Sequence, residues 1–177
     1  MNTLDAIYSR RSIRNFNGKS ITDEELSEIL KSAYASPVGR AMYDTLNLTV
    51  ITNKDLLDRW EKHMQTATGN PELHPFYGAP CVILVSSAMP SAPMNNVNFS
   101  NAAIIIQNMA LAATEKGVGA CHIWGAVRVL GSNAELTAEM NIPEGMVPCC
   151  AVALGHFDGK YELRDVDETR IRTNYIR

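Results

Sequence analysis

Three arginines and a serine lie within five residues near the start of the chain: Arg10, Arg11, Ser12 and Arg14. Guanidinium groups are planar, carry a permanent positive charge and bind phosphate oxygens in pairs. Such a cluster is typical of a pocket for an anionic small molecule, although a solvated basic turn or a nucleic-acid-binding patch could produce the same pattern. The formal charge of the whole chain is −3. The positive charge is therefore local, which favours a small anionic ligand over a nucleic acid.

The composition is that of an ordinary folded protein. The chain has 177 residues, of which 46% are hydrophobic, and this content supports one core and argues against disorder. We expect a single domain over residues 1–177. No apolar run approaches the roughly 18 residues that a membrane helix needs, and no apolar signal core follows the first residues. The sequence therefore predicts a cytoplasmic protein that binds neither nucleic acid nor membrane.

The cysteines and histidines do not form a recognisable reactive motif. We expect buried free thiols at Cys81, Cys121, Cys149 and Cys150, because no secretory signal accompanies them. No pair of these residues has the spacing of a zinc site, and the phosphate-loop and nucleophile-elbow motifs do not occur. The pattern that begins at residue 117 lacks the third glycine of a dinucleotide-binding motif, since His122 stands there. The sequence thus predicts no metal site and no side-chain nucleophile.

Apolar periodicity and turn residues predict an α+β protein. A capping box at Thr22–Glu25 begins one helix, which should end before Ser36 because proline disfavours helix in the residue that precedes it. The other helices are expected over residues 3–9, 54–66, 98–116, 126–131 and 133–140. Strands are expected over residues 46–50, 81–85, 120–124 and 149–154, and loops over residues 37–44, 67–80 and 88–97.

The helix expected over residues 98–116 is apolar around nearly its whole circumference. Such helices are buried on nearly all sides, and a chain this short can hardly surround one. We therefore expect this helix at the centre of a homodimer, with a central helix inside a monomer as the alternative. The charged tail over residues 156–177 contains few core residues. It should lie as an arm on a surface, which could be the partner's.

Three motifs occur in the order and spacing of a known family. They are Arg10–Phe16, then the helix Asn101–Met109 with Gly117–Cys121 after it, and finally Ile142–Gly145 leading to Ala153–His156. Together they resemble the nitroreductase family of FMN-dependent oxidoreductases over nearly the whole chain. The resemblance implies an α/β/α sandwich and an intertwined homodimer, with the apolar helix at its centre and two FMN sites at the interface. The C-terminal arm would then lie on the partner subunit.

The resemblance also implies roles for the N-terminal cluster. Arg10 and Ser12 would hold the phosphate or ribityl chain of FMN, and Arg11 would either do the same or pair across the dimer. Arg14 would lie near the pyrimidine edge of the flavin ring. Reduction leaves negative charge near N1, and a fixed cation there stabilises the reduced form. The flavin carries the chemistry, so the resemblance implies no catalytic side chain beyond this tuning by Arg14.

Two further segments would contact the flavin ring by the same resemblance. The loop with Pro37, Val38, Gly39 and Met42 would pass beside it, and Ile123, Trp124 and Gly125 would run under its other face. A backbone N–H of Trp124 or Gly125 would donate to flavin N5. Trp124 could instead be a core aromatic residue.

Three residues near the C-terminus complete the set that the resemblance implies. Gly155 and His156 would lie near the ribityl or phosphate end of FMN, and Arg164 would contact the phosphate. His156 could instead be the solvated end of a strand, and Arg164 could be a surface arginine.

Two positions depart from the pattern of the family. Met42 stands where many members carry a polar residue, and its thioether cannot donate a hydrogen bond to the flavin; Arg40 could partly replace that contact. Asn101 stands where aspartate is common. FMN remains the expected cofactor, and the flavin potential and the substrate class stay open.

The function that the resemblance implies is ping-pong electron transfer. NADH or NADPH would reduce FMN and leave, and a small acceptor such as a nitroaromatic or a quinone would take its place. The departures at Met42 and Asn101 suggest an alternative, a flavin-binding module for storage or sensing of FMN without steady turnover. A protein-interaction dimer without a cofactor is the third interpretation.

Overall fold

The computed structural model describes residues 2–88 and 95–177. Its centre is a four-stranded sheet in which every neighbouring pair of strands is antiparallel. The strand order is β1-β2-β4-β3, and the strands are β1 (Leu46–Ile51), β2 (Cys81–Ala88), β3 (Gly119–Ile123) and β4 (Met146–Gly155). The apolar strands β2 and β4 occupy the middle because both of their faces are covered.

Helices cover both faces of the sheet, which gives the predicted α/β/α layers. Helices α2 and α4 contribute Ile29, Ala33 and Ile106 to the apolar cluster on one face, and α3 contributes Trp60 and Met64 to the cluster on the other. The helices are α1 (Thr3–Ser9), α2 (Asp23–Tyr34), α3 (Lys54–Thr68), α4 (Asn95–Glu115), α5 (Gly125–Leu130) and α6 (Ala134–Glu139).

The helix boundaries follow local chemistry. The predicted capping box is present at the start of α2, where the Thr22 hydroxyl and the Glu25 carboxylate each bind the other residue's backbone N–H. Asn53 caps α3 by accepting from Leu56 N at 3.1 Å, and α3 ends at Gly69, whose φ of 68° suits glycine. These ends were predictable because the interactions that form them join residues close in sequence.

Several elements extend further than expected: β4 spans Met146–Gly155 rather than residues 149–154, and α3 ends at Thr68 rather than at residue 66. Strand β2 continues to Ala88, and α4 begins at Asn95 rather than at residue 98. The Asn98 amide donates to Ser87 Oγ at 2.7 Å and to Ala88 O at 2.8 Å, which ties the end of the strand to the start of the helix. Polar residues can therefore belong to the strand and the helix here, because Asn98 bonds to Ser87 and Ala88 once the chain has folded. The rest of the predicted loop, residues 89–94, lies outside the described residues.

Helix α4 is buried on one face within this chain. Ala102, Met109 and Ala113 are fully buried on that face, whereas Ala103 and Ile104 on the opposite face are exposed. We expected this helix to be surrounded. Its own chain covers only one side of it. The exposed side of the helix, which includes the apolar residues Phe99, Ala103 and Ile104, is left available for a contact from outside the chain.

The C-terminal tail has no helix or strand after Gly155, and its first part lies on its own chain. Arg11 Nη2 donates to Lys160 O at 2.8 Å, and the Tyr161 hydroxyl donates to Val118 O at 3.0 Å. Beyond this part, Ile171 and Ile176 are 80% and 100% exposed. The predicted contact with a partner subunit is thus left to the later residues of the tail and stays a prediction.

All four cysteines are free thiols, as predicted. Burial raises the pKa of Cys81 and Cys150 to about 12 and that of Cys149 to about 11. The like charge of Cys149 adds to the rise at Cys150, and a backbone hydrogen bond from Ser87 opposes the rise at Cys149. These thiols are protonated and unreactive near neutral pH.

No helix within residues 2–88 and 95–177 is long and apolar enough to cross a bilayer.

Replacement of Trp60 tests the packing of α3 on α5. The Trp60 side chain is fully buried and its Nε1–H donates to Ala126 O at 3.1 Å. Trp60→Phe removes this donor and part of the ring, so we expect the free energy of unfolding to fall by about 1–3 kcal/mol. Urea denaturation followed by circular dichroism measures the change. Trp124→Phe is the matched control, because that side chain is 62% exposed. An equal loss of unfolding free energy in both variants would contradict the role of Trp60 in packing α3 on α5.

Candidate active site

The N-terminal segment that carries the arginine cluster lies along strand β3. Ile13 N donates to Ala120 O at 3.0 Å, and Phe16 N donates to Tyr77 O at 3.2 Å. The side chains of Ile13 and Phe16 are buried in the apolar cluster on the α3 side of the sheet. These two anchors fix the backbone between residues 10 and 16, so the charged side chains of this stretch are held along one strand.

Arg10 is half-buried, whereas the arginines Arg11 and Arg14 are exposed, and its Nη1 atom is unusual. This nitrogen is buried and has no hydrogen-bond partner among the described residues. Burial raises the pKa values of Cys121 and Tyr161, and the Arg10 charge opposes both rises; burial lowers the pKa of His122, and the Arg10 charge lowers it further. A buried donor without an acceptor is unfavourable by about 1–3 kcal/mol. Arg10 is therefore ready to receive an acceptor from a ligand.

Ser12 and Arg14 lie beside the same strand. Burial raises the pKa of the Cys121 thiol, whereas the Arg14 charge, a hydrogen bond from Ser12 and the Arg10 charge oppose this rise, in that order. The Arg14 guanidinium also lies over the Tyr77 ring, with Cζ 6.0 Å from the ring centroid. The structure thus places Arg10, Ser12 and Arg14 near Cys121, and their contacts with FMN stay a prediction.

Arg11 and Arg164 fasten the tail to the N-terminal segment. Arg11 binds Lys160 O, and Arg164 Nε donates to Tyr8 O at 2.8 Å at the end of α1. Carbonyl groups at a helix C-terminus have no partner within the helix, and a cation suits them. Both arginines therefore have structural contacts in this chain. Their predicted contact with a phosphate group stays a prediction.

The segment from Ile123 to Gly125 joins β3 to α5. Ile123 is buried and pairs with Ala151, whereas Trp124 precedes the helix and is 62% exposed. Because its side chain is exposed, Trp124 is not the core aromatic residue of the alternative interpretation. The Arg128 guanidinium lies 5.8 Å from the centroid of its ring. The first N–H groups of a helix have no acceptor within it, and those of α5 are therefore suited to bind an acceptor at this point.

Gly155 and His156 have structural reasons for their residue types. A Cβ on Gly155 would lie 2.5 Å from Pro80 Cδ and 3.1 Å from Phe16 Cδ1. His156 Nε2 lies 3.4 Å from the Glu25 carboxylate, and its backbone bonds to Asn17 and Lys19. His156 thus follows the strand in a polar contact with Glu25 rather than in open solvent. A role of either residue in binding FMN stays a prediction.

The loop after α2 lies elsewhere on the chain, on the N-terminal half of α4. Gly39 N donates to Asn101 Oδ1 at 3.0 Å, and a Cβ on Gly39 would lie 2.9 Å from Val97 Cγ1. Within the described ranges no hydrogen bond or ion pair joins the loop residues Pro37, Val38, Gly39 and Met42 to the arginine cluster. The loop leads into β1 and the arginine cluster lies beside β3, and these strands form opposite edges of the sheet, so one chain does not bring the two predicted halves of the site together.

The same loop carries unusual backbone angles. Arg40 and Ala41 have φ values of 60° and 54°, which side chains other than glycine adopt at a cost of roughly 1 kcal/mol or more each. The Asn101 side chain anchors the loop at its start. Such strained turns occur where a fold must present a side chain in one direction, and here Arg40 and Met42 are both exposed.

Sequence reasoning missed His122. It is the exposed residue of a strand whose other four residues are buried, and it lies within the electrostatic reach of Arg10. Its period in the strand could not have revealed this, because Val118 and Ala120 share its face of the sheet and are both buried. Among the described residues, no group of three His, Cys, Asp or Glu side chains could hold a metal ion.

A cavity of about 390 Å³ adjoins Arg14. Its lining includes Asp58, Glu61, His74 and Tyr77, and His74 Nδ1 lies 2.9 Å from the Glu61 carboxylate. The cavity carries both charge signs, in contrast to the arginine cluster itself.

Residues 7–156 match the sequence model of the Nitroreductase family. The chain belongs to the nitroreductase family. A solved nitroreductase with bound FMN from Desulfitobacterium hafniense DCB-2 is 27% identical to this chain and superposes on it with a TM-score of 0.84. The superposition covers 99% of this chain and 100% of that one. A second nitroreductase with bound FMN, from Bacteroides fragilis NCTC 9343, shares the fold at a TM-score of 0.82 and 24% identity, with 99% of this chain and 100% of that chain covered.

A curated relative gives a further comparison. The FMN reductase (NADPH) of Bacillus subtilis strain 168 is 26% identical over 170 residues, which cover 88% of this chain and 66% of the relative. The chain thus spans about two thirds of that relative's length. Family and fold are established by these matches, which agrees with the resemblance drawn from the three motifs.

Replacement of Gly155 separates its structural role from a role in binding. An added Cβ would clash with the Pro80 ring, so Gly155→Ala should lower the free energy of unfolding by about 1–3 kcal/mol. Thermal denaturation measures this loss, which we expect with and without added FMN. Gly131→Ala is the matched control, since a Cβ there meets no atom within 4 Å and its φ is −62°. A Gly155→Ala protein as stable as the control would refute the packing role.

Proposed function

We propose that this chain is an FMN-dependent oxidoreductase that transfers electrons from NADH or NADPH to a small acceptor, such as a nitroaromatic or a quinone, in a ping-pong cycle. The observation that supports this most strongly is the buried, unpartnered Nη1 of Arg10 within a cluster of cations. Family membership supports it as well, together with relatives whose names specify bound FMN or FMN reductase activity.

The residues present fit an FMN phosphate. Arg10 offers a buried donor without an acceptor, and Ser12 and Arg14 lie beside the same strand. A phosphate would satisfy the donor by a charge-assisted hydrogen bond and would neutralise part of the local positive charge. Arg10 and Ser12 would therefore hold the phosphate end, and Arg14, on the side of Tyr77, would hold the pyrimidine edge.

When bound, FMN supplies hydride acceptance and donation at its N5 atom. The chain supplies position and charge. A backbone N–H of Trp124 or Gly125 would donate to this atom, and the fixed charge of Arg14 would favour the reduced form. Ile123 supports this segment from within the core. Tyr77 holds the Arg14 guanidinium in place through the contact with its ring.

The complete site is formed by two copies of the chain in this proposal. The loop from Pro37 to Met42 lies on α4, away from the arginine cluster of its own chain. The exposed apolar face of α4 pairs with the same face of a second copy, which brings the loop of one subunit to the cluster of the other. The exposed apolar residues late in the tail lie on that partner.

Replacement of Arg10 tests the cofactor site. Arg10→Gln removes a charge-assisted hydrogen bond, so we expect the dissociation constant for FMN to rise by about 10- to 100-fold. Titration of the apoprotein, followed by quenching of flavin fluorescence, measures it. Lys62→Gln, which removes one exposed charge from α3, is the control and should bind FMN as the unaltered protein does. Equal affinity in Arg10→Gln and this control would contradict the assignment.

The activity itself is tested with the FMN-loaded protein under anaerobic conditions. NADH or NADPH should bleach the flavin absorbance, and a nitroaromatic or a quinone should restore it. Failure of both nucleotides to bleach the flavin would refute the oxidoreductase. Tight FMN binding with bleaching but very slow turnover on several acceptors would instead favour storage or sensing of FMN.

A charge on the exposed face of α4 tests the dimer. Ala103→Glu places a carboxylate at the proposed interface, so the protein should shift from dimer to monomer, because the burial of an unpaired charge is strongly unfavourable. Sedimentation velocity measures the mass. Ala67→Glu makes the same change at an exposed position on α3 and should remain dimeric. A dimer that survives only in the control supports the interface, and a dimer in both variants contradicts it.

A further inference from the structure

Two adjoining cavities lie between the N-terminal segment and helix α3. The first is the cavity of about 390 Å³ that is lined in part by Arg14, Glu61 and Tyr77. The second has a volume of about 350 Å³ and shares Asp58 and Gly78 with the first. Because they share a wall, the two cavities form one groove, which we call the α3 groove. Arg14 belongs both to this groove and to the proposed flavin site, so a molecule bound in the groove would lie next to the flavin.

The wall of the α3 groove beside Arg14 has an unusual backbone conformation. Tyr77 has a φ of 56°, which a residue with a bulky side chain adopts only where the surrounding structure enforces it. Two backbone hydrogen bonds hold it there. Phe16 N donates to Tyr77 O at 3.2 Å, and Tyr77 N donates to His74 O at 3.2 Å. Strained residues of this kind are concentrated at binding sites, and here the strain places an aromatic ring in the lining of the groove.

The charged side chains of the α3 groove differ in their partners. Lys54 Nζ lies 2.5 Å from the Asp58 carboxylate, and both residues line the second cavity, so these two charges offset each other. Glu61 lines the first cavity, and its side chain is 24% exposed. Within residues 2–88 and 95–177 no lysine or arginine pairs with Glu61, whose carboxylate lies 2.9 Å from His74 Nδ1. Glu61 therefore presents a half-buried acceptor that no lysine or arginine neutralises.

A carboxylate in such a position is suited to the hydroxyl groups of a sugar. It is an acceptor only, and the two hydroxyl groups of a ribose are donors that it can bind together. The same carboxylate repels a phosphate ester on that ribose, because like charges placed against each other at an interface are strongly unfavourable. A groove with this residue in its lining therefore distinguishes two nucleotides that differ only by a phosphate on the ribose.

We propose that the α3 groove binds the adenosine half of the nicotinamide nucleotide and that Glu61 accepts hydrogen bonds from its ribose hydroxyl groups, so that NADH rather than NADPH is the electron donor. This inference rests on the proposed function and specifies its donor. The extra phosphate of NADPH carries about −1.5 to −2 charges near neutral pH and would lie against Glu61. The contact with His74 holds the carboxylate in the lining of the groove.

The rate of flavin reduction tests this preference. The FMN-loaded protein is mixed anaerobically with a series of NADH or NADPH concentrations, and kcat/KM for bleaching of the flavin is measured. We expect the value for NADH to exceed that for NADPH by about tenfold or more. Glu61→Gln keeps the size of the side chain and removes its charge, so this ratio should fall to about threefold or less, through a lower KM for NADPH. Glu61→Asp keeps the charge and should keep the preference.

A binding measurement makes the test independent of electron transfer. ADP-ribose and its 2′-phosphate lack the nicotinamide ring and differ from each other only in the phosphate on the ribose. Calorimetry with the FMN-loaded protein, in which the cofactor occupies its own phosphate site, should show about tenfold or more tighter binding of ADP-ribose. The difference should shrink to about threefold or less in Glu61→Gln.

A matched variant separates the position of Glu61 from the net charge of the protein. Glu144→Gln removes an exposed carboxylate from the turn before β4, outside the lining of the α3 groove. It should leave both the kinetic ratio and the binding ratio as they are in the unaltered protein.

Equal or better use of NADPH by the unaltered protein would overturn this inference, and so would ratios that are the same in Glu61→Gln and in Glu144→Gln. In either case reduction of the flavin would still support the oxidoreductase. Failure of both nucleotides to bleach the flavin would overturn the proposed function together with this inference.

Discussion

The packing of Phe16 against two glycines determines where the candidate site can form. A Cβ on Gly119 would lie 3.0 Å from Phe16 Cε1 and 2.8 Å from Gly155 O, and a Cβ on Gly155 would lie 3.1 Å from Phe16 Cδ1. Contacts shorter than about 3.5 Å between carbon atoms are repulsive. The N-terminal segment can therefore lie this close to the ends of β3 and β4 only because both positions lack a side chain. That approach brings the Ile13 amide to Ala120 O and sets the arginines beside the edge strand.

The sequence predicted those parts of the fold that depend on neighbours along the chain. The capping box at Thr22 and the apolar runs of the central strands are local signals, and the structure confirms them. The extension of β2 to Ala88 was not predictable in this way, because it depends on Asn98, which meets the strand only in the folded chain. The exposure of His122 has the same origin, since the register of an edge strand against a distant segment decides it.

The candidate site divides along the same line. Residue types indicated the arginine cluster, and the resemblance indicated the loop after α2, but neither could show that one chain keeps them apart. Asn101 illustrates what the structure adds. Its amide oxygen anchors the loop at Gly39, a bond that an aspartate could also accept. The departure from the family pattern therefore keeps the anchor and removes a negative charge, so it gives no physical reason against a working site.

The charge balance around the cluster is the remaining constraint. Within residues 2–88 and 95–177, the ion pairs involve other side chains, and Arg10, Arg11, Arg14 and Arg164 are in none of them. Two like charges about 4 Å apart repel by about 1 kcal/mol in water and by about 4 kcal/mol near a protein surface. Arg11 and Arg164 reduce this repulsion through carbonyl contacts. Arg10 has a buried donor without such a contact, so a hydrogen-bond acceptor placed there would satisfy the donor, and a negatively charged one would also reduce the repulsion.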